Sequence, residues 1–175
     1  FNAAAQLYLE VLRQYPDNLS ALLGLERALT PLRREADLAG PAEAFLARNP
    51  SSVAAYSVAM RGWAAANRPD SVAAVARRWA RVEPGSEAPY REWGNALLAR
   101  RDRSGARAAY LAGRQQLGPT TLAPELAQLA VLESDYASAA REWLLAVKKL
   151  PGYRSAAVVT LRPTPDAQRA AVLKV

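Results

Sequence analysis

Carboxylates and guanidinium groups are the side chains of this sequence with the clearest chemical potential. The 175 residues include 16 Asp and Glu, 23 Lys and Arg, and no Cys or His. Disulfide bonds, thiolate chemistry, zinc fingers and histidine-based acid–base catalysis are therefore excluded. The lack of cysteine leaves the compartment undecided, because both cytosolic and exported bacterial proteins manage without it.

The carboxylates are scattered along the chain, whereas a catalytic centre needs groups that converge. Asp17, Asp70 and Asp135 stand at expected helix starts, where a negative charge complements the helix dipole. The glycines of "GLERAL", "GPAEAF" and "GNALLA" stand singly and make no phosphate-binding loop. The sequence therefore predicts a protein that is not an enzyme, with no catalytic residue, cofactor or metal.

The positive side chains give a net charge of +7, and most of the excess is Arg, often in doublets. The doublets include Arg33-Arg34, Arg77-Arg78 and Arg100-Arg101. A surface for nucleic acid or for an acidic peptide is one interpretation. The other is that Arg replaces Lys as the solvating charge of a GC-rich genome. No apolar run approaches the roughly 18 residues of a membrane span.

The elements that must position these charges follow a repeat. Pro16, Pro50 and Pro84 are spaced 34 residues apart, the next such position is Gly118, and Pro151 follows 33 residues later. Each marker comes directly after a short apolar segment of helical character, such as "AQLYLEVLRQYP" and "AAREWLLAVKKLP". A fixed period of this length is typical of stacked helical repeats.

Each unit carries a stripe of small and bulky apolar residues before its marker. Spacings of four and three place the three members of a stripe on one helix face. The five stripes are Ala4, Tyr8 and Val11; Leu38, Ala42 and Phe45; Val72, Ala76 and Trp79; Ala106, Tyr110 and Gly113; and Ala139, Trp143 and Ala146.

A second type of helix follows each proline. It opens near a capping residue, at Asn18, Ser52 or Ser86, and carries apolar residues three and four apart. The turns "ANRPDS", "RRDRSG" and "ESDYAS" separate the two helices of a pair. The second unit departs, since Pro31 and Gly40-Pro41 predict an irregular connection and a short helix starting near Pro41.

The 34-residue period, the closing prolines, the Trp93-Gly94 pair and the small–aromatic–small stripe closely resemble the tetratricopeptide repeat (TPR) family over residues 3 to 152. The resemblance implies an all-α, right-handed α-solenoid of antiparallel helix pairs with about five repeats. We expect one solenoid over residues 1–175, with 152–175 as a partial sixth unit, and a fragment of a longer chain. A related 35-residue family reads RNA, but the spacing and the proline marker favour the protein-binding family.

The resemblance also implies a concave groove lined by the first helix of each pair. The inner positions that could bind a partner are Arg27, Arg61, Arg91, Asn95 and Gln128. Arginine there would offer forked hydrogen bonds to the carboxylates of an acidic or extended segment. The alternative is that these arginines are solvated or pair with nearby Glu side chains.

Family members that hold the C-terminal carboxylate of chaperone tails carry a basic residue and an Asn one turn apart, as Arg91 and Asn95 are. The next unit supplies Thr121 and Glu125 where that clamp needs Lys and Asn, which disfavours this partner.

Three functions stay open from the sequence. The first is an interaction scaffold that presents an Arg-lined groove to a protein or peptide. The second is a structural subunit that assembles end to end, since neither end carries the polar cap that solenoids usually need. The third is an accessory arm of an enzyme whose catalytic domain lies elsewhere.

Overall fold

The computed structural model describes residues 1–175, which form helices and no strand. The chain divides into two compact units, Phe1–Ala106 and Arg107–Val175, so the boundary falls inside one helix. The α-helices are α1 (Asn2–Gln14), α2 (Leu19–Leu29), α3 (Ala39–Arg48), α4 (Val53–Ala65), α5 (Pro69–Val82), α6 (Ala88–Ala99), α7 (Arg103–Leu117), α8 (Ala123–Leu132), α9 (Tyr136–Lys149), α10 (Arg154–Leu161) and α11 (Asp166–Leu173). Short 3₁₀ segments are Thr30–Leu32, Glu35–Leu38 and Pro151–Tyr153.

In the first unit, consecutive helices pack on one another: α1 on α2, α3 on α4, α4 on α5, and α5 on α6. Its core is a continuous cluster that includes Leu22, Leu25, Phe45, Met60 and Trp79. In the second unit, α8, α10 and α11 all pack against α9. There Trp143 is buried with alanines of α8 and α9, and its ring lies 6.2 Å from that of Tyr153.

Four of the five predicted stripes are buried. All three members are buried in the stripes before Pro50, Pro84, Gly118 and Pro151, although Leu38, the first member before Pro50, lies in the 3₁₀ segment that precedes α3. The stripe of α1 is only half-buried, at Ala4, Tyr8 and Val11. Small residues let helices approach closely, so the bulky members can fill the space between them.

The turns inside the helix pairs repeat one backbone geometry. A residue with left-handed φ occurs at intervals of 34, 34 and 33 residues, namely Arg33, Asn67, Arg101 and Ser134. In each case the following N–H donates to the carbonyl five residues earlier, as in Arg68 N to Trp63 O at 2.9 Å and Asp102 N to Leu97 O at 3.0 Å. This bond satisfies a carbonyl that a helix end would otherwise leave without a partner.

The irregular second unit has the predicted form. After α2 the chain makes two 3₁₀ segments, and α3 begins at Ala39. Pro41 is then the third residue of α3, where its missing N–H breaks no helical hydrogen bond. After Pro151 the chain forms two further short helices, α10 and α11.

The helix N-caps expected from the sequence are confirmed in part. Asn18 accepts a hydrogen bond from Ala21 N at 2.9 Å, and Asp135 accepts one from Ser138 N at 2.9 Å. Ser52 precedes α4 without capping it through its side chain, and the residue that precedes α6 is Glu87 rather than Ser86. Asp17 accepts from Asn49 Nδ2 at 2.9 Å and so links two interhelical turns.

Candidate functional site

The predicted groove residues lie on the first helices of their pairs. In the first unit, Arg27 lies on α2, Arg61 on α4, and Arg91 and Asn95 on α6. Gln128 is exposed on α8, in the second unit. Arg27 and Asn95 are exposed, whereas Arg91 is half-buried and its guanidinium group lies 2.9 Å from a carboxylate oxygen of Glu87.

Arg61 is held by two neighbouring helices. Its Nε donates to Glu26 Oε1 on α2 at 2.6 Å, and Nη1 lies 3.7 Å from Glu92 Oε2 on α6. The Glu26 side chain is only 18% exposed, so this bond is shielded from bulk solvent more than a surface pair would be. For Arg61, the alternative of pairing with nearby Glu side chains therefore holds, because its guanidinium group is held by Glu26 and lies near Glu92.

A cleft of about 350 Å³ opens beside Arg61. The connection that contains Arg33 and Glu35 forms one wall, and the C-terminal ends of α4 and α6 form the others. Arg100, which follows α6, completes the basic rim. The residues between these charges are small, namely Ala36, Ala64, Ala65, Ala96 and Ala99.

Two of the three arginines at the cleft are not held by carboxylates. Arg33, Arg61 and Arg100 line the cleft together with Glu35, and the carboxylates of Glu26 and Glu92 balance the charge of Arg61. Arg33 and Arg100 are exposed, and neither guanidinium group has a hydrogen-bond or ion-pair partner. A guanidinium group can bind a carboxylate through two parallel hydrogen bonds, so the cleft has the chemistry to bind an anion.

Sequence reasoning missed Arg33 and Arg100 as site residues. Both belong to arginine doublets, and each lies at a turn between helices. The left-handed backbone of Arg33, with φ of 56°, belongs to the connection whose irregular course lines the cleft. The only sequence feature that could have indicated these two site residues is an arginine doublet at the turn within a helix pair.

Other arginines are occupied by structural pairs. On α5, Arg78 donates to both carboxylate oxygens of Glu43 at 2.7 Å, and Trp63 Nε1 also donates to Glu43 at 2.9 Å. In the second unit, Arg114 of α7 makes a two-bond pair with Glu142 of α9, at 2.8 and 2.6 Å. These carboxylates therefore serve packing between helices.

The structure offers neither a metal site nor a membrane-spanning helix. The His, Cys, Asp and Glu side chains form no group of three or more that could hold a metal ion. None of the helices combines the length and the apolar character needed to cross a membrane.

The fold is that of a TPR-like helical repeat protein, as the sequence predicted. It is similar to the crystal structure of a thermophilic TPR protein from Thermus thermophilus, with a TM-score of 0.52. The match covers 99% of this chain and 91% of that chain, at 18% sequence identity. Neither a family model nor a curated protein matches the sequence. At this identity the likeness defines the fold alone.

Proposed function

We propose that the chain is a non-catalytic protein-interaction module whose first unit binds an acidic, extended segment of a partner protein. The observation that carries this proposal is the cleft beside α4 and α6, where Arg33 and Arg100 present guanidinium groups without partners. TPR-like folds typically mediate protein interactions, which supports a protein partner.

The lining of the cleft favours an extended segment. Its alanine side chains are short, so the backbone of a bound peptide can come close to α4 and α6. The volume of about 350 Å³ lies at the small end of ligand pockets and suits a few residues. Carboxylates of that segment would bind Arg33 and Arg100, whereas Arg61 is already occupied by Glu26.

The predicted inner row extends this proposal beyond the cleft. Arg27, Arg91 and Asn95 lie on α2 and α6 of the same unit, and we propose that they contact residues flanking the acidic segment. Gln128 stays a prediction for the second unit. The chaperone-tail clamp is not proposed, because Thr121 is buried and offers no exposed contact.

The test uses two labelled peptides, one rich in Glu and one with Gln at the same positions. We expect the wild-type protein to bind the Glu peptide more tightly, as measured by fluorescence anisotropy. The double variant Arg33→Glu/Arg100→Glu should weaken that binding at least about tenfold, since it places like charges opposite the ligand. Both side chains are exposed and without ion pairs, so the variant should fold.

The matched control is Arg48→Glu/Arg81→Glu, which makes the same change in net charge on α3 and α5. Both residues are exposed and neither lines the cleft. This control should retain wild-type affinity for the Glu peptide. If it loses affinity as much as the cleft variant does, the binding depends on net charge alone and the proposed site is wrong.

A further inference from the structure

The second unit carries an apolar groove that the proposed function does not use. The groove lies between α9, α10 and the segment that ends at Val175, with a volume of about 690 Å³. Leu144 and Val147 line it from α9, Val158 and Leu161 from α10, and Leu173 from α11. We call it the α9–α11 groove.

Large apolar side chains in this groove face solvent. Leu144 is 54% exposed, Val158 is 64% exposed and Leu173 is 85% exposed. Neither α10 nor α11 contains a buried residue, although both pack on α9. Contiguous apolar surface of this kind marks interaction sites on soluble domains, because leaving it in water is unfavourable.

The charged side chains that line the groove are all of one sign. Arg154 and Arg162 line it at the two ends of α10, and no Asp or Glu side chain does. Neither arginine has an ion-pair or hydrogen-bond partner. Arg154 is the first residue of α10, where a positive charge is unfavourable towards the helix dipole, so helix stability does not explain it.

We propose that the α9–α11 groove binds an amphipathic helix of a partner protein that carries acidic residues at both ends of its apolar stripe. The apolar stripe would fill the groove with residues spaced three and four apart. Arg154 and Arg162 are eight positions apart, which is about 12 Å along a helix axis. Carboxylates seven or eight residues apart on the bound helix would match that distance.

The same observations disfavour two other occupants. A symmetric contact with a second copy would bring the arginines of two identical grooves together, and like charges repel. A membrane surface suits a convex apolar face that dips into the lipid, whereas this apolar surface is concave.

The probe is a labelled synthetic peptide of about 16 residues, long enough to form a helix. It carries Leu at positions i, i+3, i+4 and i+7, with Glu on both flanks, and its counterpart has Lys on both flanks. We expect the whole 175-residue chain to bind the Glu-flanked peptide at least about tenfold more tightly than the Lys-flanked one. Failure of both peptides to bind at about 100 μM, which corresponds to a binding free energy weaker than about −5.5 kcal/mol, would overturn the proposal.

Neighbouring valines provide a matched pair of variants. Val158→Asp places a carboxylate in the groove and should weaken binding of the Glu-flanked peptide at least about tenfold. Val159→Asp makes the same change at the next residue, which is 70% exposed and does not line the groove, and it should leave binding unchanged. Equal loss in both variants would contradict the site. Both positions are exposed, so circular dichroism should show both variants folded.

Charge reversal distinguishes the contribution of Arg154 and Arg162 to binding from that of the apolar contacts. The double variant Arg154→Glu/Arg162→Glu should bind the Lys-flanked peptide more tightly than the Glu-flanked one. If it still prefers the Glu-flanked peptide, the proposal of an acidic partner is wrong.

Sedimentation and vesicle binding test the other two occupants, a second copy of the chain and a lipid surface. A dimer that is lost in Val158→Asp would assign the groove to a second copy, and vesicle binding lost in that variant would assign it to lipid. Both results contradict the proposal.

Discussion

Gly62 shows how one residue can limit the approach of two elements. It is buried in α4, and a Cβ atom added there would lie 2.7 Å from Ala39 N and 3.0 Å from Ala39 Cα. Those atoms are backbone, so they cannot turn aside as a flexible side chain would. We predict that Gly62→Ala destabilises the protein by about 2 kcal/mol, because overpacking forces the start of α3 away from α4.

Gly40 is the matched control for that substitution. It is exposed in the first turn of α3, and a Cβ added there meets no atom within 4 Å apart from its chain neighbours. Gly40→Ala should change the stability by less than about 1 kcal/mol, because the lower entropy of the unfolded chain is offset by the crowding of a helical Cβ against Pro41. Urea unfolding followed by circular dichroism measures both changes. Destabilisation of similar size in the two variants would show that the close approach at Gly62 is not the cause.

The helices themselves were largely predictable from the sequence, because their signal is periodic. The stripe at Val72, Ala76 and Trp79 is buried as expected, and Pro31 and Pro41 correctly indicated the irregular connection. The left-handed turn residues were not predictable in the same way. Residues as different as Arg101 and Ser134 occupy equivalent positions in their turns. The left-handed backbone of these turns is stabilised by a hydrogen bond between backbone groups, so the side chain does not reveal it.

Asp135 links the stability of α9 to pH. Hydrogen bonds from the side chain and backbone of Ser138, helped by the charges of Arg141 and Arg107, hold the pKa of Asp135 below its ordinary value of 3.8. A depressed folded-state pKa means that the carboxylate stabilises the folded protein above the unfolded value, near 3.8. That contribution is lost as the pH falls through the lower pKa of the folded state.

We therefore predict different pH profiles for two variants at this cap. Asp135→Asn keeps a good capping residue but cannot titrate, so its stability relative to wild type should improve as the pH falls from about 5 to about 2.5. Asp135→Ala should cost about 1 kcal/mol at about pH 7, since the cap is lost. Thermal unfolding across that range measures both. A constant difference between wild type and Asp135→Asn would contradict the linkage.

Across the whole chain, the sequence predicted the class of structure better than the sites on it. The repeat period led to a TPR-like fold, and the solved structure it resembles supports that class. The cleft at Arg33 and Arg100 was missed because it depends on where an irregular connection meets α4 and α6. The α9–α11 groove likewise depends on how far α10 and α11 leave α9 uncovered, which periodicity does not encode.

The uneven burial along the chain predicts uneven local stability. Helices α10 and α11 have eight residues each and bury none, whereas α4 and α5 bury much of the core of the first unit. Short helices without buried contacts open easily, so their amides should exchange fastest. Hydrogen–deuterium exchange with mass spectrometry on the whole chain measures this order. We expect α10 and α11 to exchange within the earliest time points and α4, α5 and α9 to exchange far more slowly. If the amides of α10 exchange as slowly as those of α9 in the free protein, α10 packs on α9 more tightly than its lack of buried residues indicates.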